Sequence, residues 1–182
     1  MSDTINKGLI IIGARALGRE VHGYAGAAGV AIKGFLDSDS TALNAFVGYA
    51  PILGGVEDYV PEKGDVFVCA IGNPQMRSHY VKIVEDKGGR FVSIVHPLAS
   101  IGANVRIGEG TIIAPSVAVT CDVIIGNHVL LNVGVSVNHD SEIGCFATLA
   151  PGCRLLGRNV VPEFAIVSAG RIVDCDKSFI VD

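Results

Sequence analysis

The clearest pattern along the chain is an apolar residue at every sixth position of its second half. From Val95 to Val167 each of these positions is Val, Ile or Leu. An α-helix cannot keep every sixth residue on one face, because six residues turn it through about 600°. Short strands joined by bends can do so. The repeat therefore predicts a parallel β-helix whose triangular coils take about 18 residues each and stack on one another.

The residue types at two further positions of the repeat also indicate short strands joined by bends. The fourth position after each apolar residue is mostly small or β-branched, as in Val105, Val117 and Ala147. The position directly after each apolar residue is often Gly or Asn, and these residues tolerate the backbone angles of tight bends. The pattern weakens near the end, which predicts a capping coil there; the residues concerned are Ser141, Asn159 and Pro162.

The first half alternates apolar strands with amphipathic helical stretches. Strands are predicted at 9–12, 32–36, 66–71 and 91–95, and helices are predicted to end near Ala28 and Lys87. Such alternation is typical of a small Rossmann-like parallel α/β domain. We therefore predict an α/β domain over residues 1–95 and a β-helix over residues 96–182, joined near His96-Pro97.

Composition narrows the classes of function. The net charge of −4 and the pI near 5.7 disfavour a nucleic-acid partner, and no basic cluster suggests a membrane surface. The apolar run near the amino terminus is interpreted as a strand, because no cationic segment precedes it as in a signal peptide. We expect a cytoplasmic protein whose cysteines are reduced packing residues; they are Cys69, Cys121, Cys145, Cys153 and Cys175.

A glycine-containing turn after the first strand is a candidate anion site. Gly13 and Gly18 flank the start of the first helix, where free N–H groups favour a pyrophosphate. Asp37 ends the second strand, as does the acidic residue that binds a ribose in dinucleotide folds. Arg15 replaces the middle glycine and could hold a phosphate. Gly72-Asn73 follows the third strand at the same sheet edge. The alternative is a turn whose glycines serve packing alone.

His139 is the candidate general base. It lies off the inward rows of the repeat and is followed by Asp140, which could fix its tautomer. The alternative interpretation is a solvated bend residue. A zinc site on His96, His128 and His139 is disfavoured, because their spacing contains no short ligand pair, and no metal is predicted.

Several of these segments together resemble the sugar O- and N-acyltransferases of the left-handed β-helix class. The similarity is carried by the strand, glycine turn and helix start, by Phe35-Leu36-Asp37, by Ala70-Ile71-Gly72-Asn73, and by Asn132 with Asn138-His139-Asp140. The most similar groups are bacterial N-acetyltransferases acting on UDP-linked 4-amino sugars and the sialic acid O-acetyltransferases.

The resemblance implies a left-handed coil and a homotrimer with acetyl-CoA in the groove between neighbouring prisms. It implies that the α/β domain holds a UDP-linked amino sugar, for which the residues of the candidate anion site are the expected substrate residues, although Arg15 stands where relatives have a small residue; they are Gly13, Arg15, Gly18, Asp37, Gly72 and Asn73. It makes His139 the general base and Asp140 its orienting partner. It makes the Gly157 N–H a donor to the oxyanion, and it adds Asn132 and Thr148 to the acetyl-CoA site.

The sequence also departs from the family pattern. Leu17 and Thr148 occupy positions where relatives commonly have histidines, and relatives commonly continue beyond the end of this sequence through another coil and a tail that contacts CoA. The expected function is acetylation of the amino group of a UDP-linked amino sugar by acetyl-CoA. The alternatives are a sugar O-acetyltransferase, a non-catalytic binding or assembly module with a degraded site, and a zinc hydratase of the carbonic anhydrase kind.

Overall fold

A four-stranded parallel sheet and two helices form the first domain in a computed structural model, which describes residues 8–174. The strand order is β3-β2-β1-β4. β1 is continuously apolar and fully buried, as expected for a central strand covered on both faces. The elements are β1 (Leu9–Ile12), α1 (Ala16–Ala27), β2 (Ile32–Leu36), β3 (Ile52–Gly54), β4 (Val66–Cys69) and α2 (Pro74–Asp86).

Two strands differ from the sequence prediction. β3 was missed because it is only three residues long, is half-buried and follows an irregular segment. The strand predicted at 91–95 does not extend the α/β sheet: Phe91 makes a single bridge to Phe67, and β5 (Ile94–Val95) pairs with a strand of the second domain. Val95 is the first position of the six-residue repeat, so it stacks on Ile113.

The second domain is a triangular prism of three parallel sheets, which we call faces 1, 2 and 3. Face 1 holds β5, β8, β11, β14 and β17; face 2 holds β6, β9, β12, β15 and β18; face 3 holds β7, β10, β13 and β16. After β5 the strands are β6 (Ser100–Ile101), β7 (Arg106–Ile107), β8 (Ile112–Ile113), β9 (Ala118–Val119), β10 (Ile124–Ile125), β11 (Leu130–Leu131), β12 (Ser136–Val137), β13 (Glu142–Ile143), β14 (Thr148–Leu149), β15 (Arg154–Leu155), β16 (Val160–Val161), β17 (Ile166–Val167) and β18 (Ile172–Val173).

Strand pairing in the prism has one constant register. Ile124 pairs with Glu142, and Glu142 pairs with Val160, so each residue lies over the residue 18 positions earlier. The second residue of each strand points inward, as with the fully buried Leu131 and Leu149. An α/β sheet domain followed by a parallel β-helix confirms the predicted fold class.

Ser141 and Asn159, which weaken the repeat in the sequence, lie within the regular stack of coils. Strands continue beyond them to β18 (Ile172–Val173). Both polar side chains are buried in the prism interior, where Ser141 Oγ accepts from the Asn159 N–H and Asn159 Nδ2 donates to the carbonyls of Leu156 and Val173. Their hydrogen bonds offset the cost of burying polar groups.

The α/β domain packs on face 1. The outward side chains of Ile112, Leu130 and Thr148 on this face are buried, although they point away from the prism interior. Arg77 of α2 reaches across the seam and donates from Nε to the His128 carbonyl at 2.9 Å. Of the helices within residues 8–174, none combines the length and apolar character needed to cross a membrane.

His128 is a buried histidine in this seam, and it predicts a pH dependence of stability. Its ring stacks on Phe146 and meets Phe91 edge-on, with Nε2 4.0 Å from the Glu85 carboxylate. Burial, and next the positive charge of Arg77, lower the pKa of His128 from 6.5 to about 4. The unfolded chain therefore takes up this proton at a higher pH than the folded chain does.

We expect the free energy of unfolding to fall by up to about 3 kcal/mol as the pH drops from 6.5 to 4. His128→Asn should remove most of this slope, since Asn does not titrate and tolerates the positive φ of 55° at this position. Denaturant unfolding across that pH range measures the free energy of unfolding, with His79→Gln on the exposed side of α2 as the control. A His128→Asn protein with the wild-type slope would contradict the assignment.

Candidate active site

His139 lies on the prism corner between faces 2 and 3, in the bend between β12 (Ser136–Val137) and β13 (Glu142–Ile143). Asp140 follows with a positive φ of 59°, a left-handed conformation that aspartate adopts more readily than most residues. The bend brings the Asp140 Oδ2 within 2.8 Å of the His139 Nδ1. Both side chains are about half exposed.

The pairing with Asp140 determines which imidazole nitrogen is available for chemistry. A carboxylate accepts hydrogen bonds, so Nδ1 carries the proton and donates it to Asp140. Nε2 is then the unprotonated nitrogen with a free lone pair. This is the arrangement by which a carboxylate orients a histidine general base and stabilises the imidazolium that forms.

Gly157 lies one coil above His139, against its ring. A Cβ atom built on Gly157 would come within 2.6 Å of the His139 Cε1, so only glycine leaves room for the imidazole. The Gly157 N–H donates no hydrogen bond within residues 8–174. It is therefore available to a ligand beside the imidazole, as an oxyanion donor must be.

Buried polar groups hold the His139 bend in place. The His139 carbonyl accepts from the Arg158 N–H at 2.8 Å and from the Ser141 hydroxyl at 3.5 Å. Sequence reasoning missed this supporting role. The available signal was the appearance of the polar residues Ser141 and Asn159, 18 residues apart, in a mostly apolar inward row.

A cleft of about 320 Å³ opens at the carboxyl ends of β1, β2 and β4. Four of the six predicted substrate residues line it: Gly13, Arg15, Asp37 and Gly72. Its walls are otherwise mostly apolar, with Leu36 and Ile71 among them. A parallel sheet commonly binds ligands at this edge, so these four residues lie together where a ligand site was predicted.

Asp37 shapes the glycine turn directly. Its Oδ2 accepts from the Ala14 N–H at 2.9 Å and its Oδ1 accepts from the Asp39 N–H at 3.0 Å. Asp39 in turn lies 3.8 Å from the exposed Arg15 guanidinium. The Asp37 carboxylate therefore fixes the wall of the cleft that it lines.

Gly18 and Asn73 shape this region without lining the cleft. A Cβ on Gly18 would come within 1.9 Å of the Gly13 carbonyl oxygen, so glycine is needed where α1 meets the turn. The Asn73 side chain caps α2 by accepting from the Met76 N–H at 2.9 Å.

The cleft residues that were not predicted include Glu57, Met76 and Tyr80. Met76 and Tyr80 are four residues apart on α2, a spacing that would have placed both on one helix face. Glu57 lies in the irregular segment after β3 and carries no comparable signal.

Asn132 and Thr148 lie away from His139 within one chain. Asn132 is in the bend after β11, where its Nδ2 donates to the Leu149 carbonyl at 3.3 Å. Thr148 is buried in the seam between the domains, and its hydroxyl donates to the Gly72 carbonyl at 2.9 Å. Of the three predicted acetyl-CoA residues, only Gly157 adjoins His139.

The cleft and His139 of one chain are on different sides of the prism. The α/β domain rests on face 1, whereas His139 occupies the corner between faces 2 and 3, which is opposite face 1. A ligand held in the cleft of an isolated chain would be separated from its own His139 by the prism.

Comparison with known proteins agrees with this architecture. The profile of the PglD N-terminal domain family matches residues 8–84. The GDP-perosamine N-acetyltransferase of Escherichia coli O157:H7 is 30% identical over 107 residues, which are 59% of this chain and 48% of that protein. The aligned region thus spans about half the length of this curated relative. The chain is thus similar to the PglD family over its first domain and to a sugar N-acetyltransferase over 107 residues.

The similarity to solved structures covers both domains of this chain. PerB from Caulobacter crescentus, solved with CoA and GDP-perosamine, is 26% identical with a TM-score of 0.78, covering 93% of this chain and 89% of that chain. The acetyltransferase domain of PglB from Neisseria gonorrhoeae FA1090 shares the fold, with 22% identity, a TM-score of 0.77 and coverage of 93% and 92%.

The close approach of Gly157 to His139 predicts a specific effect of one methyl group. Gly157→Ala should push the imidazole away from the corner while the prism stays folded, because the bend itself is held by backbone bonds. A crystal structure of the variant should show the ring displaced and the Asp140 contact lengthened. Gly23→Ala on α1, where a Cβ meets nothing within 4 Å, is the control. An unmoved His139 ring in Gly157→Ala would show that the corner has more room than described.

Proposed function

We propose that this chain is an acyltransferase that moves the acetyl group of acetyl-CoA to the amino group of a nucleotide-linked amino sugar. The observation that carries the proposal is the corner where His139, held by Asp140, packs under Gly157 with its unbonded N–H. A base and an oxyanion donor side by side at one corner of the prism are the two groups that acyl transfer requires.

The chemistry follows from these positions. The amine nitrogen attacks the thioester carbonyl carbon while His139 Nε2 removes a proton from the amine. The Gly157 N–H donates to the oxygen that becomes negatively charged. When the intermediate collapses, the carbon–sulfur bond breaks, the CoA sulfur leaves, and the imidazolium returns the proton to it. Asp140 stabilises the imidazolium during this sequence.

The cleft of the α/β domain is the proposed nucleotide-sugar site. The start of α1 beside Gly13 and the exposed guanidinium of Arg15 favour a diphosphate. The motif resemblance favours a UDP-linked sugar, whereas the curated relative and PerB are named for GDP-perosamine. Both nucleotides therefore belong in the test.

We also propose a homotrimer in which each active site uses two copies. The separation of the cleft from His139 supports it, because a neighbouring prism can present its His139 corner to the cleft. Exposed aliphatic side chains on faces 2 and 3 suit packing between copies: Ile124 and Val160 on face 3 and Ile172 on face 2. Cyclic symmetry then repeats the same site at each interface.

His139→Ala should lower kcat by about 10²- to 10⁴-fold, because the amine loses its proton acceptor. Asp140→Asn should give a smaller loss. The assay is release of CoA thiol from acetyl-CoA with UDP- and GDP-linked 4-amino sugars, with mass spectrometry to distinguish N- from O-acetylation. His79→Ala on the exposed side of α2 should keep wild-type activity. Undiminished activity in His139→Ala would remove His139 from the mechanism.

Two inactive variants should restore activity together if the site is shared between copies. His139→Ala keeps the cleft intact, and Gly72→Phe would fill the cleft while keeping His139. Random mixed trimers from co-expression should recover about one quarter of wild-type activity, since each site needs an intact cleft from one copy and an intact histidine from its neighbour. Mixtures as inactive as either parent would place the whole site within one chain.

A further inference from the structure

Arg77 is a buried arginine that no carboxylate among residues 8–174 contacts. Only 1% of its surface is exposed, and burial lowers its pKa to about 10. Within residues 8–174 its guanidinium donates hydrogen bonds only to carbonyl oxygens and to one hydroxyl. Burying a guanidinium without an anion costs free energy, so an arginine in this position needs an explanation.

The contacts of Arg77 divide between two parts of the molecule. Nη1 donates to the carbonyls of Ile71 and Gly72, at 2.6 and 3.1 Å, and both residues line the cleft. Nε and Nη2 donate to the prism, to the carbonyls of His128 and Phe146 at 2.9 and 2.5 Å. The planar fork of guanidinium donors allows these different directions at once.

Thr148 connects Arg77 to the cleft wall through its hydroxyl. Its hydroxyl accepts from Arg77 Nη2 at 3.0 Å and donates to the Gly72 carbonyl at 2.9 Å. The Gly72 carbonyl thus receives one hydrogen bond from α2 and one from face 1 of the prism. Gly72 is also the last residue before the Asn73 cap of α2, so this peptide joins the cleft wall, the helix start and the prism.

We infer that Arg77 and Thr148 are positioning residues that set the substrate cleft relative to the prism. The inference rests on the proposed function, in which one copy must deliver the amino sugar of its cleft to His139 on another prism. If the cleft wall moved independently of the prism, the amine of the bound sugar would not lie at a reactive distance from the His139 imidazole. Sub-ångström placement is what such a reaction requires.

Thr148→Val tests the inference with the smallest change, because Val has nearly the shape of Thr and lacks the hydroxyl. We expect KM for the nucleotide sugar to rise about fivefold, the equivalent of one lost hydrogen bond, while KM for acetyl-CoA stays unchanged. Thr148→Ser keeps a hydroxyl and should restore the wild-type KM. Arg77→Lys should raise the same KM further, because an ammonium cannot reach all of these acceptors.

Thr111→Val is a matched control. The Thr111 hydroxyl is also fully buried and makes two hydrogen bonds, to the Gly126 carbonyl and from the Val129 N–H, but it touches no cleft residue. This variant should lose thermal stability while both KM values stay at the wild-type level. Equal KM changes in Thr111→Val and Thr148→Val, or a rise only in KM for acetyl-CoA in Thr148→Val, would overturn the inference.

A second measurement needs no substrate. Amide hydrogen exchange in peptides covering residues 70–76 should become faster in Thr148→Val than in Thr111→Val or wild type. Unchanged exchange there would overturn the inference even if wild type proves active. If wild type neither binds nor turns over any nucleotide sugar, the proposed function fails, while faster exchange in Thr148→Val alone would still support the mechanical link.

Discussion

The hydrogen-bond ladder between coils is the constraint on which the rest of the molecule depends. Each coil bonds to the next with a constant shift of 18 residues, as from Ser136 to Arg154 and from Val137 to Leu155. The inward rows are then stacked columns of aliphatic side chains, and burial of each contributes about 1.5–3 kcal/mol. No coil can bury its own interior alone, so the stack is stable only as an array.

The same ladder builds the proposed catalytic corner. His139 and Gly157 are 18 residues apart, and this spacing places the glycine against the imidazole. The carbonyl of His139 is part of the ladder through the Arg158 N–H, so the base is fixed by backbone bonds rather than by long side chains. Function and folding therefore depend on one repeat length, and a single inserted residue between 139 and 157 would misalign both.

Most of the fold was predictable from the sequence because the two halves have different periods. The six-residue repeat that begins at Val95 identified the prism. Because Val95 belongs to that repeat, β5 pairs with a strand of the prism and not with the α/β sheet. Local sequence patterns also predicted the pairing of His139 with Asp140. They predicted one wall of the cleft as well, which Gly13, Asp37 and Gly72 form. Arg77 could not be found this way, because nothing within α2 distinguishes a buried arginine from a solvated one. Its partners Phe146 and Thr148 are more than 60 residues away.

The position of Thr148 also could not be read from the sequence. The motif resemblance placed it with acetyl-CoA, and the structure places its hydroxyl between Arg77 and the Gly72 carbonyl. The difference arises because the neighbour of an outward residue depends on how the α/β domain packs on face 1. The repeat predicts that a residue points outward, but not what covers it.

In the proposed trimer, one copy holds the nucleotide sugar while another supplies His139. A crystal structure with CoA and a nucleotide-linked amino sugar would show whether this is so. We expect a sugar bound in the cleft of one copy, with its amine about 3 Å from the His139 Nε2 of a neighbouring copy. An amine bound beside His139 of the same chain, or a nucleotide bound away from the cleft, would contradict it.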